Sequence, residues 1–172
     1  MKLLRGIIKS IDTLNNFIGK IGAWSVILLT FLVVYEVISR RFLGAPTIWT
    51  YETITMIYGF HFMIVAAYAL VHKSMVSVDI LYEKLTLKKQ AILDIVTYCI
   101  LFFPFVISIF YISIGYAHYS WSTKEVSTSL FAPPLYPIKT IIPIAFGLLM
   151  LQGISEVLKR VYILIKGERY ES

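Results

Sequence analysis

Four charged side chains lie at the adjoining ends of two long apolar runs: Glu36, Arg40, Arg41 and Glu52. An ionisable group costs roughly 3 kcal/mol at the centre of a bilayer, so such groups usually pair, face protein or carry ions. Glu36 and Arg40 are four residues apart with the acid first, which favours an ion pair on a helix. We interpret Glu36 as a paired, structural acid, because no second deep acid is evident. Arg41 is expected to reach the headgroups.

Trp49 and Glu52 are three residues apart, on one face at the start of a predicted second helix. Trp49 suits the aromatic belt of a membrane interface, and Glu52 suits the positive end of a helix dipole. An equally supported interpretation is that the two residues anchor this helix end to Arg40 or to a partner subunit. Both interpretations stay open. Thr47 or Thr50 is expected to cap the helix.

Other reactive residue types support no enzyme class, metal or cofactor. His61, His72 and His118 lie at different predicted depths, which argues against a bis-histidine haem site, and His61 is expected to form a hydrogen bond within the bundle. Cys99 is the single cysteine, so an internal disulfide and a thiolate zinc site are excluded, and we expect it to be buried. Motifs of metalloproteases, serine hydrolases and P-loop proteins are missing.

The composition indicates a membrane protein with a single domain over residues 1–172. Of the 172 residues 58% are hydrophobic and 15% charged, and the mean hydropathy is +0.77. A soluble core of this size cannot bury that much apolar surface. The net charge of +6 comes from short basic clusters between apolar runs, which fits anionic membrane lipids and not nucleic acid.

The hydrophobic pattern predicts an all-α membrane protein with four transmembrane helices, at about residues 21–41, 50–71, 91–117 and 138–158. Residues 2–18 form a predicted N-terminal amphipathic interfacial helix, which lies in the headgroup layer or docks on a partner.

Several residues within this frame carry narrower predictions. Pro104 is expected to bend the third span, Pro143 interrupts the fourth, and the loop before it, which contains Pro133, is predicted to be ordered. Asp94 suits the helix dipole without a further role. Glu156 is expected to pair with a basic residue three or four positions later.

The charge distribution predicts the topology. Twelve of the 16 Lys and Arg residues lie in the N-terminal segment, the 72–90 link and the C-terminal tail. By the positive-inside rule both termini are cytoplasmic. The turn from Arg40 to Glu52 and the loop at 118–137 then face the opposite side.

The stretch from Arg40 to Glu52 resembles the small membrane subunit of tripartite ATP-independent periplasmic (TRAP) transporters, the DctQ-type small permease. That family has an arginine at the end of the first span, a tryptophan nine positions later and a Trp-x-Glu-Glu motif. Arg40, Trp49 and Glu52 fit this pattern, whereas Tyr51 replaces the first glutamate.

Two further stretches support the resemblance. The family tends to have a His-Val-Arg-Val-Asp-like sequence after the second span; here the valines and Asp79 are kept, whereas Met75 and Ser77 replace the histidine and arginine. Residues 129–147, with Pro133 and Pro143, resemble the loop and the start of the fourth span in that family.

The resemblance implies a subunit of a sodium-coupled importer in a bacterial inner membrane. Its partners would be a large multi-span subunit that carries the substrate and a periplasmic binding protein that captures organic acids such as dicarboxylates or sialic acid. This chain would be a fixed scaffold, in which we expect Arg40 to pair with Glu52, and would help dock the binding protein. Two alternatives remain: a small homo-oligomeric exporter that uses Glu36, and a membrane haem or quinone protein.

Overall fold

The structure is a computed structural model that describes residues 2–74, 82 and 85–168. Its helices are α1 (Lys2–Phe42), α2 (Thr50–Val71), α3 (Leu87–Thr97), a π-helical turn (Tyr98–Phe102), α4 (Phe103–Ser122) and α5 (Tyr136–Lys166). Because α3, the π turn and α4 join end to end, the described residues contain four helices long and apolar enough to cross a membrane. The all-α, four-span prediction is therefore confirmed.

Helix α1 is one continuous helix, whereas the sequence predicts an amphipathic helix at 2–18 that is separate from the first span. Its 41 residues extend about 62 Å at 1.5 Å per residue, roughly twice the thickness of a hydrocarbon core. Gly19 and Gly22 lower the helix propensity at this junction, but no proline or polar loop separates the two segments, and the helix continues through it. Ile8 and Asn15 are buried within the protein, which shows that this segment packs along the bundle.

The third predicted span contains a defect beside Pro104. A π-helical turn covers Tyr98–Phe102, and α4 begins with Pro104 in its first turn. Proline has no N–H to donate, and its ring clashes with the preceding turn. A locally wider π turn relieves this clash and tolerates the missing hydrogen bond. The helix is disturbed where the sequence predicted, although Pro143 lies inside α5 without ending it.

Helix α5 is the centre of the bundle, since it contacts α1, α2, α3 and α4. Its Ala145 and Leu148 form a core with Ile64 and Ala67 of α2. Helix α1 approaches α2 closely: a Cβ atom at Gly19 would lie 2.2 Å from the Cβ of Tyr68. Small residues allow such close contact between membrane helices.

Polar contacts show that the start of α1 and the end of α5 lie at the same end of the bundle. Arg5 lies with its guanidinium 5.2 Å from the ring centre of Tyr162 and donates a hydrogen bond to its hydroxyl. The α1–α2 turn and the α4–α5 loop lie at the opposite end, where Ser127 contacts Glu52. We call these the terminal end and the loop end.

Candidate functional site

Glu36 is the centre of a polar cluster at the loop end, formed with Arg40, Thr47 and Thr50 (the Glu36 cluster). Arg40 donates from Nη2 to Oε1 of Glu36 at 2.7 Å, as the spacing predicted. Thr47 donates its hydroxyl hydrogen to the other carboxylate oxygen, and the hydroxyls of Thr47 and Thr50 are bonded to each other. Glu36 is buried, and its acceptors are used within the chain.

The turn that follows α1 brings Thr47 back over Glu36. Gly44 adopts a positive φ of 62°, a conformation that glycine tolerates without strain. The hydroxyl of Ser39 donates to the carbonyl of Ala45 at 2.5 Å, and the backbone N–H of Ala45 donates to the carbonyl of Ser39 at 3.1 Å. These bonds fix the turn against the end of α1.

Glu52 contacts the α4–α5 loop and not α1. Ser127 donates its hydroxyl hydrogen to Oε1 of Glu52 at 2.8 Å, and the described residues provide no ion pair to this carboxylate. The predicted pair between Arg40 and Glu52 is therefore wrong, because Arg40 is used by the nearer Glu36. The capping prediction is wrong too: α2 begins after Trp49 without a side-chain cap, since Thr47 bonds Glu36 instead.

The α4–α5 loop is held closed at its base. Its two sides exchange backbone hydrogen bonds from Ser127 N–H to the carbonyl of Pro133 and from Leu135 N–H to the carbonyl of Glu125, both at 2.9 Å. Lys139 of α5 donates to Oε2 of Glu125 at 2.5 Å, and this hydrogen bond holds the pKa of Glu125 below its ordinary value of 4.5. Pro133, within the loop, is buried. The loop is ordered, as predicted.

The remaining predicted residues lie apart from one another. Trp49 is partly exposed with its ring centre 6.1 Å from that of Tyr35, and Arg41 is exposed at the end of α1. Pro143 lines an open apolar groove of about 450 Å³ between α4 and α5. Asp79, with Met75 and Ser77, lies outside the described residues. Interface roles for these residues stay predictions.

A second polar cluster lies at the terminal end, and only its pairing within α5, from Glu156 to the basic residues three and four positions later, was predicted from the sequence. Glu156 is only 2% exposed. Lys159 lies 2.7 Å from Glu156 and 2.9 Å from Asp12 of α1. Asp12 also accepts hydrogen bonds from Gln152 at 3.0 Å and Ser155 at 2.7 Å. Polar groups thus join α1 to α5.

The same cluster reaches α3 through Asp94. Arg160 lies 2.5 Å from Oδ2 of Asp94 and 3.7 Å from Glu156, and the hydroxyl of Tyr82 donates to Asp94 at 2.7 Å. The interpretation of Asp94 as a residue with no further role is therefore wrong. We call Asp12, Asp94, Glu156, Lys159 and Arg160 the Glu156 cluster.

Sequence spacing signals only part of the Glu156 cluster. The offsets of three and four residues from Glu156 to Lys159 and Arg160 predict contacts within one helix, and both are observed. Asp12 and Asp94 are distant in sequence and enter by tertiary packing. Asp12 and Glu36 belong to the two clusters and are 24 residues apart in α1, about 36 Å along the helix, so the two clusters are separated by about one hydrocarbon thickness.

Two further predictions concern single side chains. Nδ1 of His61 lies 2.9 Å from the hydroxyl of Ser25 and 3.1 Å from the carbonyl of Gly22, which confirms a hydrogen bond within the bundle. Cys99 is exposed on the π turn, so the prediction that it is buried is wrong.

The structure is that of a multi-pass membrane protein. It has helices of membrane-crossing length, ionic clusters near both ends and broad exposed apolar faces. A family model described as the DctQ component of tripartite ATP-independent periplasmic transporters matches residues 29–162. The chain belongs to this family and is the small membrane subunit of a TRAP transporter. Membership implies association with a large membrane subunit and a binding protein. No curated protein matches the chain. The family match includes the Glu36 cluster and most of the Glu156 cluster, but not Asp12.

Proposed function

We propose that this chain is the fixed scaffold of a sodium-coupled importer of organic acids, of the dicarboxylate or sialic acid type. It supports the large transport subunit in a bacterial inner membrane and helps dock the periplasmic binding protein. Both termini face the cytoplasm, so the loop end faces the periplasm. Residues 2–18 of α1 contact lipid headgroups and widen the footprint of the scaffold.

The observation that carries this proposal is the pairing of buried charges between helices. Lys159 binds both Asp12 and Glu156, and Arg160 binds Asp94, so three helices are held by ionic contacts at the terminal end. Breaking one partner of a buried ion pair costs about 3–5 kcal/mol. Helices fixed in this way suit a support that stays in place while another subunit moves.

Glu36 also fits a structural role better than ion transport. Its carboxylate accepts from Arg40 and Thr47, and a cation or proton would have to displace these donors. The alternatives in which this chain exports substrate through Glu36, or holds haem or quinone, gain no supporting contact among the described residues.

Co-purification tests the proposal. The affinity-tagged chain is expressed with the large subunit of its transporter, extracted in mild detergent and examined by size-exclusion chromatography. We expect one stable complex with equal amounts of the two chains. Recovery of this chain only as a homo-oligomer, under conditions in which both chains are folded and abundant, would contradict the scaffold role.

A further inference from the structure

The outward face of α4 carries a stripe of polar and small residues along the length of the helix. Its members recur at intervals of three and four residues: Pro104, Ser108, Tyr111, Gly115, His118 and Ser122. At about 100° per residue they lie within about 80° of one another around the helix axis, and all of them are exposed. We call these residues the α4 stripe. The exposed residues on either side of it are Ile, Phe, Tyr and Trp.

The α4 stripe points away from the rest of the protein. The buried residues of α4 are Val106, Ser113, Ala117 and Ser120. At about 100° per residue their mean direction is about 180° from that of the stripe. Within the described part of the chain, α4 packs extensively on α5 but not on α1 or α2. The stripe is therefore the surface of α4 that lies furthest from the chain's own contacts.

Lipid does not account for this arrangement. On a helix that meets only acyl chains, the residues furthest from protein are apolar, because polar groups in a membrane helix almost always face protein. The exposed side of α1 follows this rule, with Trp24 71% exposed and Phe31 70% exposed. On α4 the order is reversed, since large apolar residues flank a polar centre. Polar and small residues in membrane helices concentrate where two helices pack.

Tyr111 places an unsatisfied hydroxyl in the α4 stripe. The side chain is 79% exposed, and its hydroxyl forms no hydrogen bond within the described part of the chain. Tyr111 is 11 residues from Ser122 at the loop end, about 16 Å along the helix and near the middle of a hydrocarbon core roughly 30 Å thick. Neither acyl chains nor a soluble protein can supply a hydrogen-bond partner at this depth, whereas a membrane helix can.

Gly115 lies one turn from Tyr111 and is not required by the packing of this chain. A Cβ atom at this position would meet nothing within 4 Å. Glycine in a helix costs about 1 kcal/mol relative to alanine, but it lets a second helix approach closely. Ser108, Gly115 and Ser122 recur every seven residues. With this period a second helix can follow the stripe in a left-handed pair.

We infer that the α4 stripe is the surface on which a transmembrane helix of the large subunit packs. Family membership implies that this subunit is the membrane-embedded partner. The geometry adds where it meets this chain and what it offers: small residues opposite Gly115 and a hydrogen-bonding group opposite Tyr111. The inference deepens the proposed support of the large subunit and rests on it.

Energy transfer between labelled subunits in liposomes tests this inference. The two membrane subunits carry donor and acceptor fluorophores, and dilution with unlabelled lipid gives the affinity of the wild-type pair and of each variant. We expect Gly115→Leu to weaken association at least tenfold, because the added side chain holds the helices apart. Tyr111→Phe should weaken it about threefold, because it removes one hydrogen bond between helices.

Two controls accompany these variants. Thr30→Leu adds similar bulk to the exposed side of α1 and should leave the affinity unchanged. The melting temperature of the purified chain alone should not fall in Gly115→Leu or Tyr111→Phe, because both side chains point away from this chain's own contacts.

Three results would overturn the inference. Unchanged affinity in both α4 variants would show that the stripe faces lipid. A loss with Thr30→Leu as large as that with Gly115→Leu would show that the effect is not specific to α4. Energy transfer between two copies of this chain that Gly115→Leu abolishes, with the affinity for the large subunit kept, would assign the stripe to a second copy. Each of these results leaves the proposed support of the large subunit standing as long as the wild-type subunits associate.

Discussion

The hydroxyl of Ser127 donates a hydrogen bond to Oε1 of Glu52 at 2.8 Å, although 75 residues separate them in the chain. The bond holds the α4–α5 loop over the start of α2. Oε2 of Glu52 is buried and has no hydrogen-bond partner among the described residues. Within the described part of the chain, Ser127 is thus the group that donates a hydrogen bond to this partly buried carboxylate.

Ser127→Ala is expected to lower the free energy of unfolding by about 1–3 kcal/mol, because a buried acceptor loses its donor. Thermal unfolding in mild detergent measures the effect. Ser122→Ala is the control, since this exposed hydroxyl bonds only a carbonyl of its own helix turn in the described structure. In a double-mutant cycle, Ser127→Ala and Glu52→Ala should be non-additive; strict additivity would show that the two residues are not coupled.

Exchanging the charges of Arg40 and Glu52 should not recover the stability that the single substitution Arg40→Glu loses, because these residues do not pair in the described structure. Arg40→Glu alone should destabilise the protein by placing a second carboxylate beside Glu36. Combining it with Glu36→Arg should recover part of the loss, since the ion pair is re-formed in reverse order. The measurement is the melting temperature of each purified variant. Recovery by Arg40→Glu with Glu52→Arg would contradict the observed pairing.

Lys159→Met should destabilise the protein by about 3 kcal/mol, because it leaves the carboxylates of Asp12 and Glu156 near each other without their shared cation. Chemical unfolding followed by tryptophan fluorescence measures the loss. Lys166→Met is the matched control in the same helix, where the side chain is exposed and should tolerate the change. Equal stability of the two variants would show that the Glu156 cluster does not hold α1 against α5.

Gly19→Ala should cost about 1–3 kcal/mol through overpacking, because the added methyl group would meet Tyr68 and force α1 away from α2. Gly115→Ala is the control: its Cβ atom meets nothing within 4 Å, and alanine favours a helix. The melting temperature should fall for the first variant and stay or rise for the second. The opposite order would contradict the close packing of α1 on α2.

The loop base should weaken at acidic pH. Because Lys139 lowers the pKa of Glu125 in the folded protein, the ionised carboxylate stabilises the fold above its ordinary pKa of 4.5, and this contribution is lost as the pH falls through the lowered value. Wild type should therefore exceed Glu125→Gln in melting temperature at about pH 7, and the difference should shrink below about pH 4.5. A difference that is constant with pH would show that the ion pair contributes nothing.

The sequence predicts the helices well because their signals are local. Apolar runs of membrane-crossing length are visible without tertiary information, and α2 ends at Val71 as predicted. The pair of Glu36 with Arg40 is also local, since both lie on one helix face. The continuity of α1 was missed because a change in amphipathic pattern does not by itself end a helix.

Contacts between distant segments account for the errors. From the sequence, Glu52 is expected to contact Arg40 or a partner subunit, whereas in the fold it contacts Ser127, an uncharged residue distant in the chain. Asp12 and Asp94 look like surface acids on separate segments until packing brings them to Lys159 and Arg160. The pairing of acids with bases depends on how each helix is rotated about its own axis within the bundle. The periodicity of a single sequence does not determine this rotation.

Substrate uptake by proteoliposomes of defined composition tests the scaffold role most directly. This chain alone, the large subunit alone or both are reconstituted into the vesicle membrane. A sodium gradient is imposed, and the binding protein is added outside with a radiolabelled organic acid. We predict uptake only with both subunits, and retention of uptake when Glu36→Gln is assembled into the complex. Transport by this chain without the large subunit, abolished by Glu36→Gln, would contradict the account.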